Sequence, residues 1–236
     1  MLPLKDDIPT RSFPLITAGL IVANVVVYLY QFSLSLGPGL EGVRAAQAVV
    51  FEFGLIPCRL TDRCRAVAEL PSPYLTVFTS MFLHGGLFHV GGNMLYLWIF
   101  GNNVEDSMGR GRFLVFYLLC GLVAAAAQTL SDPGSRIPMI GASGAVSGVL
   151  GAYLLLYPHA RVLTLVTFGF FIQFIRIPAL IVIGFWAVVQ FLNGVITFTT
   201  PQRGGVAWLA HVGGFVAGLL LIHVFRTGPR VSYRRS

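Results

Sequence analysis

One serine and one histidine, placed in two separate apolar runs, are the residues of this sequence best suited to covalent chemistry. Ser143 stands among small residues near the head of a run that carries no charge from Met139 to Tyr157. His211 lies in a second apolar run, with alanine before it and valine after it. A histidine that accepts the proton of a serine hydroxyl turns that hydroxyl into a nucleophile. The pair predicts acyl transfer if the fold brings the two side chains within about 2.6–3.2 Å.

Further polar groups in apolar runs have the chemistry to stabilise the negative charge that develops on a carbonyl oxygen. His89 and Asn93 are four residues apart and share one helix face. Both side chains can donate hydrogen bonds to an oxyanion, together with a backbone N–H near Ser143. A lone histidine or serine in such a run is more often a packing residue, but these groups occur on three separate runs. That distribution favours a catalytic site.

Small residues explain how the serine run and the histidine run could meet. Gly144 and Gly148 are four residues apart, and so are Gly214 and Gly218. Small residues at this spacing let the backbones of membrane helices approach closely. We therefore expect the two runs to pack against each other with the serine and the histidine at their contact.

The composition is that of a membrane protein. Of the 236 residues, 56% are hydrophobic and only 11% are charged, whereas soluble domains carry about 25% charged residues. Apolar runs of about 20 residues are long enough to cross a bilayer, which excludes one or two soluble domains. The net charge of +7 does not indicate nucleic-acid binding, because the basic residues lie in connections and at the C-terminus, where membrane orientation requires them.

Six apolar runs predict an all-α polytopic membrane protein built as a six-helix bundle. The runs cover residues 13–32, 88–104, 113–130, 139–157, 177–198 and 206–225. We expect a cytoplasmic N-terminal segment at residues 1–12, one membrane domain at residues 13–226 and a basic cytoplasmic tail at residues 227–236. Residues 36–74 predict a long first extracytoplasmic loop with short helices at the membrane interface.

The distribution of basic residues orients this bundle. Both ends of a six-span chain lie on the same side of the membrane, and ten of the 16 Lys and Arg fall in segments on that side, leaving six for the other. Because cytoplasmic loops carry the excess of Lys and Arg, we expect both termini in the cytoplasm. The Arg-rich, Lys-poor composition suggests a bacterial inner membrane.

The cysteines leave one question open. Cys58 and Cys64 fall in the first loop, close enough in sequence to form a disulfide if that loop faces an oxidising compartment. Two free thiols are the alternative. Cys120 lies in an apolar run and is predicted to be a packing residue.

Three motifs on three runs resemble those of the rhomboid family of intramembrane serine proteases. His84 precedes a His-x-x-x-Asn pattern that runs from His89 to Asn93, residues 141–144 read Gly-Ala-Ser-Gly, and residues 210–218 read Ala-His-x-x-Gly-x-x-x-Gly. No single motif is specific. The order of the three motifs, their spacing and the runs that carry them all agree with the family pattern, and the resemblance covers nearly the whole chain.

The resemblance implies a serine endopeptidase that cleaves transmembrane segments of other membrane proteins through a Ser–His dyad. Ser143 would be the nucleophile and His211 the general base. The oxyanion would be held by His89, Asn93 and the backbone N–H of Ser143.

The resemblance also implies supporting positions. His84 would shape the active-site cavity, and Glu105 and Gly109 would have structural roles at the inner end of the second run. The fifth run, with Phe185 and Trp186, would be a lateral gate for substrate. The remaining supporting positions are Gly141, Gly144 and Gly214.

The sequence departs from the family pattern at two places. Many relatives carry Trp-Arg shortly before the histidine pair, whereas residues 73–76 contain no arginine, which leaves open how the first loop is anchored. Several relatives carry an aromatic residue, stacked on the histidine, four positions after the nucleophile. Ser147 stands there in this chain, so other packing must position His211.

We expect no cofactor and no metal, because the sequence has no His-Glu-x-x-His motif and no carboxylate at membrane depth. The expected partners are transmembrane protein substrates and the lipid bilayer, with no nucleic acid. Two alternatives stay open: a catalytically inactive rhomboid-like protein that binds membrane proteins, and a transporter. The transporter is the weaker alternative, since it predicts paired carboxylates or inverted repeats, and neither is visible.

Overall fold

The chain folds into a helical bundle with a small sheet at one end. A computed structural model describes residues 1–64, 70–168, 171–197 and 206–227. The helices along these residues are α1 (Leu15–Ser35), α2 (Gly39–Phe53), α3 (Pro57–Leu60), α4 (Pro73–Thr79), α5 (Leu87–Tyr96), α6 (Asn102–Met108), α7 (Arg110–Ser131), α8 (Ser143–Leu156), α9 (Ala179–Thr197) and α10 (Trp208–Phe225). The strands are β1 (Leu2–Asp6), β2 (Arg161–Phe168) and β3 (Phe171–Pro178). The predicted basic tail lies, apart from Thr227, outside the described residues.

The helices account for the apolar runs of the sequence. In the described part of the chain, α1, α7, α9 and α10 are long and apolar enough to cross a membrane by length and composition, and α8 is a shorter apolar helix. A π-helical turn, Leu97–Gly101, joins α5 to α6, so that the helical path continues from Leu87 to Met108. These elements match the six predicted runs to within four residues at each end. The chain is thus a mostly helical membrane protein.

Helix α10 packs directly on α8 at the glycines that the sequence singled out. A Cβ built on Gly214 would overlap the carbonyl oxygen of Gly144, and one built on Gly218 would overlap the carbonyl oxygen of Gly148. The two backbones therefore touch with no side chain between them at these positions. This close approach was predicted from the four-residue spacing.

A buried carboxylate joins α6 to the start of α1. Glu105 accepts hydrogen bonds from the backbone N–H groups of Ile16 (3.1 Å) and Thr17 (2.8 Å), and from the Thr17 hydroxyl (2.8 Å). The N–H groups of a first helical turn have no acceptor within their own helix, so Glu105 caps α1. Gly109 ends α6 with a φ of +81°, a backbone conformation that favours glycine. Both residues have the structural positions expected of them.

The first loop is fastened to the segment that leads into α8. Leu55 and Met139 exchange two backbone hydrogen bonds, of 3.1 and 2.7 Å, and the Cys58 N–H donates to the Ser135 carbonyl at 3.0 Å. Cys58 and Cys64 form a disulfide, with Cα atoms 5.3 Å apart, which answers the question that the sequence left open. Backbone pairing therefore anchors the loop in the absence of Trp-Arg.

The sheet was not predicted. Its three antiparallel strands, in the order β1–β2–β3, lie at the end of α8 opposite Ser143, and β3 leads directly into α9. The prediction of an all-α chain is wrong in this respect. Strand β1 has only five residues, two of them charged, and its partner β2 lies more than 150 residues later in the chain. No local pattern marks such a strand.

The glycine contact yields a test of the bundle. Gly214→Ala places a methyl group against the backbone of α8, which cannot move aside as a flexible side chain would. We expect a loss of about 1–3 kcal/mol of stability, measured as a lower midpoint of thermal unfolding in detergent micelles. Gly184→Ala in α9 is the matched control, because a Cβ there meets no atom within 4 Å. Equal midpoints for the two variants would contradict the close packing of α8 and α10.

A second test concerns Asp6, at the end of β1. One carboxylate oxygen, Oδ2, accepts hydrogen bonds from Asn103 Nδ2 and the Tyr153 hydroxyl, both at 2.6 Å. Burial is the main cause that raises the pKa of the Asp6 carboxyl from its ordinary 3.8 to about 6. The folded protein therefore holds a proton that the unfolded chain releases at lower pH, and stability falls as pH rises from about 4 through about 6.

Asp6→Asn keeps an acceptor oxygen and removes this titration. Between about pH 5 and pH 7, we expect the midpoint of thermal unfolding of the wild type to fall by a few degrees relative to that of Asp6→Asn. Parallel pH dependence of the two proteins would show that the Asp6 carboxyl is not protonated in the fold.

Candidate active site

The start of α8 presents Ser143 and its backbone N–H. Ala142 is the N-cap and Ser143 the first residue of the helix. The first intrahelical hydrogen bond of α8 runs from the Val146 N–H to the Ala142 carbonyl, so the N–H groups of Ser143 and Gly144 precede it. Such N–H groups, at the positive end of the helix dipole, can bind negative charge.

Gly141 shapes the approach to the serine. Its φ of +124° favours glycine, and its N–H donates to the Ser80 carbonyl at 2.8 Å. A Cβ built at this position would lie 2.8 Å from His89 Nε2. Glycine is therefore needed both for the turn and for the close approach of the His89 ring.

The structure brings Ser143 and His211 together across the α8–α10 contact. Ser143 Oγ lies 2.7 Å from His211 Nε2, within the range required for proton transfer. The other ring nitrogen, Nδ1, lies 2.7 Å from Gln190 Oε1 of α9. The partner of His211 on this side is thus an amide and not a carboxylate.

Two indole rings flank the imidazole of His211. The Trp186 ring lies 6.1 Å away and is tilted by 35°, and the Trp208 ring lies 6.2 Å away, edge-on at 84°. Ser147, which stands where several relatives carry an aromatic residue, instead donates a 2.6 Å hydrogen bond to the Ser143 carbonyl within α8. The packing expected to position His211 therefore comes from α9 and from the start of α10.

His84 and Asn93 form a buried pair next to His89. Asn93 Nδ2 lies 3.1 Å from His84 Nε2, and His84 Nδ1 lies 3.3 Å from the Phe82 carbonyl. This geometry is satisfied when Nδ1 carries the ring proton and Nε2 accepts from the amide. Gln31 of α1 holds the backbone of His84 by accepting from its N–H at 3.0 Å. The His84 and His89 rings meet edge-on, with centroids 5.0 Å apart.

A cavity of about 1040 Å³ opens beside the serine. Among the described residues it is lined by Ser143, His211 and His89, and it extends along α7 to Gln128 and to Arg136 in the loop before α8. Asn93 and His84 are not part of this described lining. The site therefore offers a serine hydroxyl, a neighbouring imidazole and a second histidine to a molecule that enters the cavity.

Sequence reasoning missed several residues of this site, above all Gln190. It is 93% buried in α9 (7% exposed), in an apolar run with no charged residue between Arg176 and Arg203. An amide in such a run is the signal that could have identified it, since a buried amide must find a hydrogen-bond partner. Which partner it finds depends on the packing of α9 against α10, and the sequence alone does not specify that contact.

Comparison with known proteins matches this chain to rhomboid proteins. Residues 71–227, more than half of the chain, match the Rhomboid domain. The chain is 30% identical over 153 residues to the mitochondrial Rhomboid protein 1 of Saccharomyces cerevisiae, covering 62% of this chain and 40% of that protein. It is 32% identical over 157 residues to RHOMBOID-like protein 1 of Arabidopsis thaliana, covering 66% of this chain and 36% of that protein.

A bacterial relative is also similar. The chain is 40% identical over 93 residues to Rhomboid protease GluP of Bacillus subtilis, covering 39% of this chain and 18% of that protein. The chain thus spans less than half the length of these relatives. Because the matched domain extends from before α5 to beyond α10 and so contains all three motifs, the chain belongs to the rhomboid family.

Proposed function

We propose that this protein is an intramembrane serine endopeptidase that uses Ser143 and His211 as a catalytic dyad. The observation that carries the proposal is the 2.7 Å contact between Ser143 Oγ and His211 Nε2, made at the edge of a cavity inside an apolar bundle. A hydroxyl beside an imidazole is the arrangement that activates a serine. Rhomboid membership and the similarity to a Bacillus subtilis rhomboid protease support the same reaction.

The reaction proceeds through an acyl-enzyme. Ser143 Oγ attacks the peptide carbonyl carbon while His211 Nε2 takes the hydroxyl proton. The imidazolium then gives that proton to the leaving amine nitrogen as the C–N bond breaks, which leaves an ester on Ser143. His211 next takes a proton from water, which attacks the ester carbonyl, and Ser143 leaves with the proton returned to its oxygen.

His89 and the Ser143 N–H are the proposed donors to the oxyanion. His89 Nδ1 accepts a hydrogen bond from the Gly85 N–H at 3.3 Å, so the neutral ring carries its proton on Nε2. That nitrogen lies beside Gly141, two residues before the nucleophile. Asn93 directs one amide N–H to His84, and we propose that its second N–H contributes to the oxyanion. Each such donor typically contributes about 100- to 1,000-fold in rate.

The substrate is proposed to be a transmembrane segment of another membrane protein. Residues of α7, α8 and α10 line the cavity, and large apolar side chains of α9, such as Phe185 and Phe191, are more than half exposed. An apolar surface of this kind suits a lipid environment. A helix that unwinds near small residues would present its peptide bond to Ser143, and α9 is the proposed lateral gate.

The topology proposed for this enzyme has six spans with both termini in the cytoplasm of a bacterial inner membrane. The spans are α1, the α5–α6 path, α7, α8, α9 and α10, within a membrane domain of residues 13–226. Excess Lys and Arg support this orientation. The Cys58–Cys64 disulfide is held near the start of α8, and disulfides persist in oxidising compartments. The active site would therefore open toward the extracytoplasmic side.

Loss of either dyad residue should abolish cleavage. With purified protein in detergent, no added metal or nucleotide, and a model transmembrane substrate, Ser143→Ala and His211→Ala are expected to lower turnover by at least about 1,000-fold. Ser147→Ala, one helical turn from the nucleophile, is the matched control and should stay within about tenfold of the wild type. The readout is the rate of product formation on gels, with thermal unfolding as a check on folding.

Two results would contradict the proposal. Wild-type turnover by Ser143→Ala would show that Ser143 is not the nucleophile. A folded wild-type protein that cleaves no transmembrane substrate but still binds one would favour the inactive rhomboid-like alternative.

A further inference from the structure

Helix α9 reaches His211 through a side chain whose role in the reaction is unassigned. Gln190 Oε1 lies 2.7 Å from His211 Nδ1, on the side of the ring opposite Ser143. Gln190 is only 7% exposed, so the contact is sheltered from competing solvent. The distance is that of a well-formed hydrogen bond.

This contact selects one protonation form of the imidazole. An amide oxygen can only accept a hydrogen bond, so His211 Nδ1 must carry the proton and donate it to Gln190. In the neutral ring Nε2 is then unprotonated and can accept the proton of Ser143 Oγ. With the opposite tautomer, Nε2 would carry a hydrogen and the serine hydroxyl would have no base.

The same helix also places an aromatic ring beside the imidazole. Trp186 precedes Gln190 by four residues, so both side chains lie on one face of α9. The Trp186 ring lies 6.1 Å from the imidazole and is tilted by 35°. One face of α9 therefore supplies both a hydrogen-bond acceptor for His211 and a surface against which its ring packs.

We propose, on the basis of the dyad function above, that Gln190 is a positioning residue that holds His211 in the tautomer and orientation needed to deprotonate Ser143. It occupies the place that a carboxylate takes in a serine-protease triad. A neutral amide orients the ring without bringing an unpaired charge into an apolar bundle, where desolvation of a carboxylate is costly. Helix α9 thus belongs to the catalytic apparatus and is not only a wall of the bundle.

A variant that lacks the amide oxygen of Gln190 but keeps the length of the side chain tests this role. Gln190→Met has a similar volume and no acceptor of comparable strength, so the neutral ring loses its preferred tautomer. We expect kcat to fall about 10- to 100-fold, with KM within about twofold of the wild type, measured on the same transmembrane substrate in the same detergent. Gln190→Glu restores an acceptor oxygen and should return kcat to within about tenfold of the wild type.

Asn193→Leu is the matched control on the same helix. Asn193 Nδ2 donates to the Val189 carbonyl within α9 at 2.7 Å, so its loss leaves the contacts of His211 in place. We expect both kinetic constants of this variant to stay within about twofold of the wild type. If Gln190→Met does not fold, Gln190→Ala takes its place with the same expectations.

The outcomes separate this inference from the proposed function. If the folded wild type does not cleave, the dyad proposal fails. If the wild type cleaves and Gln190→Met has wild-type kcat, the positioning role is overturned. It is also overturned if Gln190→Glu is as slow as Gln190→Met, or if Asn193→Leu loses kcat equally, because the effect would then come from general packing of α9.

Discussion

The contact between the backbones of α8 and α10 is the constraint on which the site depends. Lipid supplies little hydrophobic driving force between helices, so association relies on close packing and on polar contacts. Gly144 and Gly214 remove the side chains that would keep the two helices apart. At that separation Ser143 Oγ lies 2.7 Å from His211 Nε2. Packing and chemistry thus use the same small residues, and a methyl group between the helices would disturb both.

Two histidines of the bundle have neutral amide partners. His211 faces the amide of Gln190, and His84 faces the amide of Asn93. Each amide fixes which nitrogen of its histidine carries the proton, since a carbonyl oxygen only accepts and an NH₂ group only donates. An ionised acid in either place would lose its hydration at a high cost in free energy. In the proposed dyad, His211 is therefore oriented by an amide. A sideways displacement of α9 would remove this partner of His211.

The sequence predicted the parts of this protein that depend on local pattern. Hydrophobic runs of membrane length predicted the helices, and glycines spaced four apart predicted the contact of α8 with α10. Other features depend on partners far away in the chain. Strand β1 pairs with residues more than 150 positions later. Only its contact with His211 distinguishes Gln190 from other buried amides, and the sequence does not show that contact. The Trp186 ring and the pairing of Leu55 with Met139 likewise emerge only from the assembled bundle.

Covalent labelling tests the activated serine most directly. A fluorophosphonate probe reacts with serines that a neighbouring base makes nucleophilic, and the adduct can be located by mass spectrometry of the purified protein. The proposed dyad predicts a single adduct on Ser143 of the folded wild type and its loss in His211→Ala. A folded wild-type protein that takes up no probe, or labelling of Ser143 that persists unchanged in His211→Ala, would contradict the dyad.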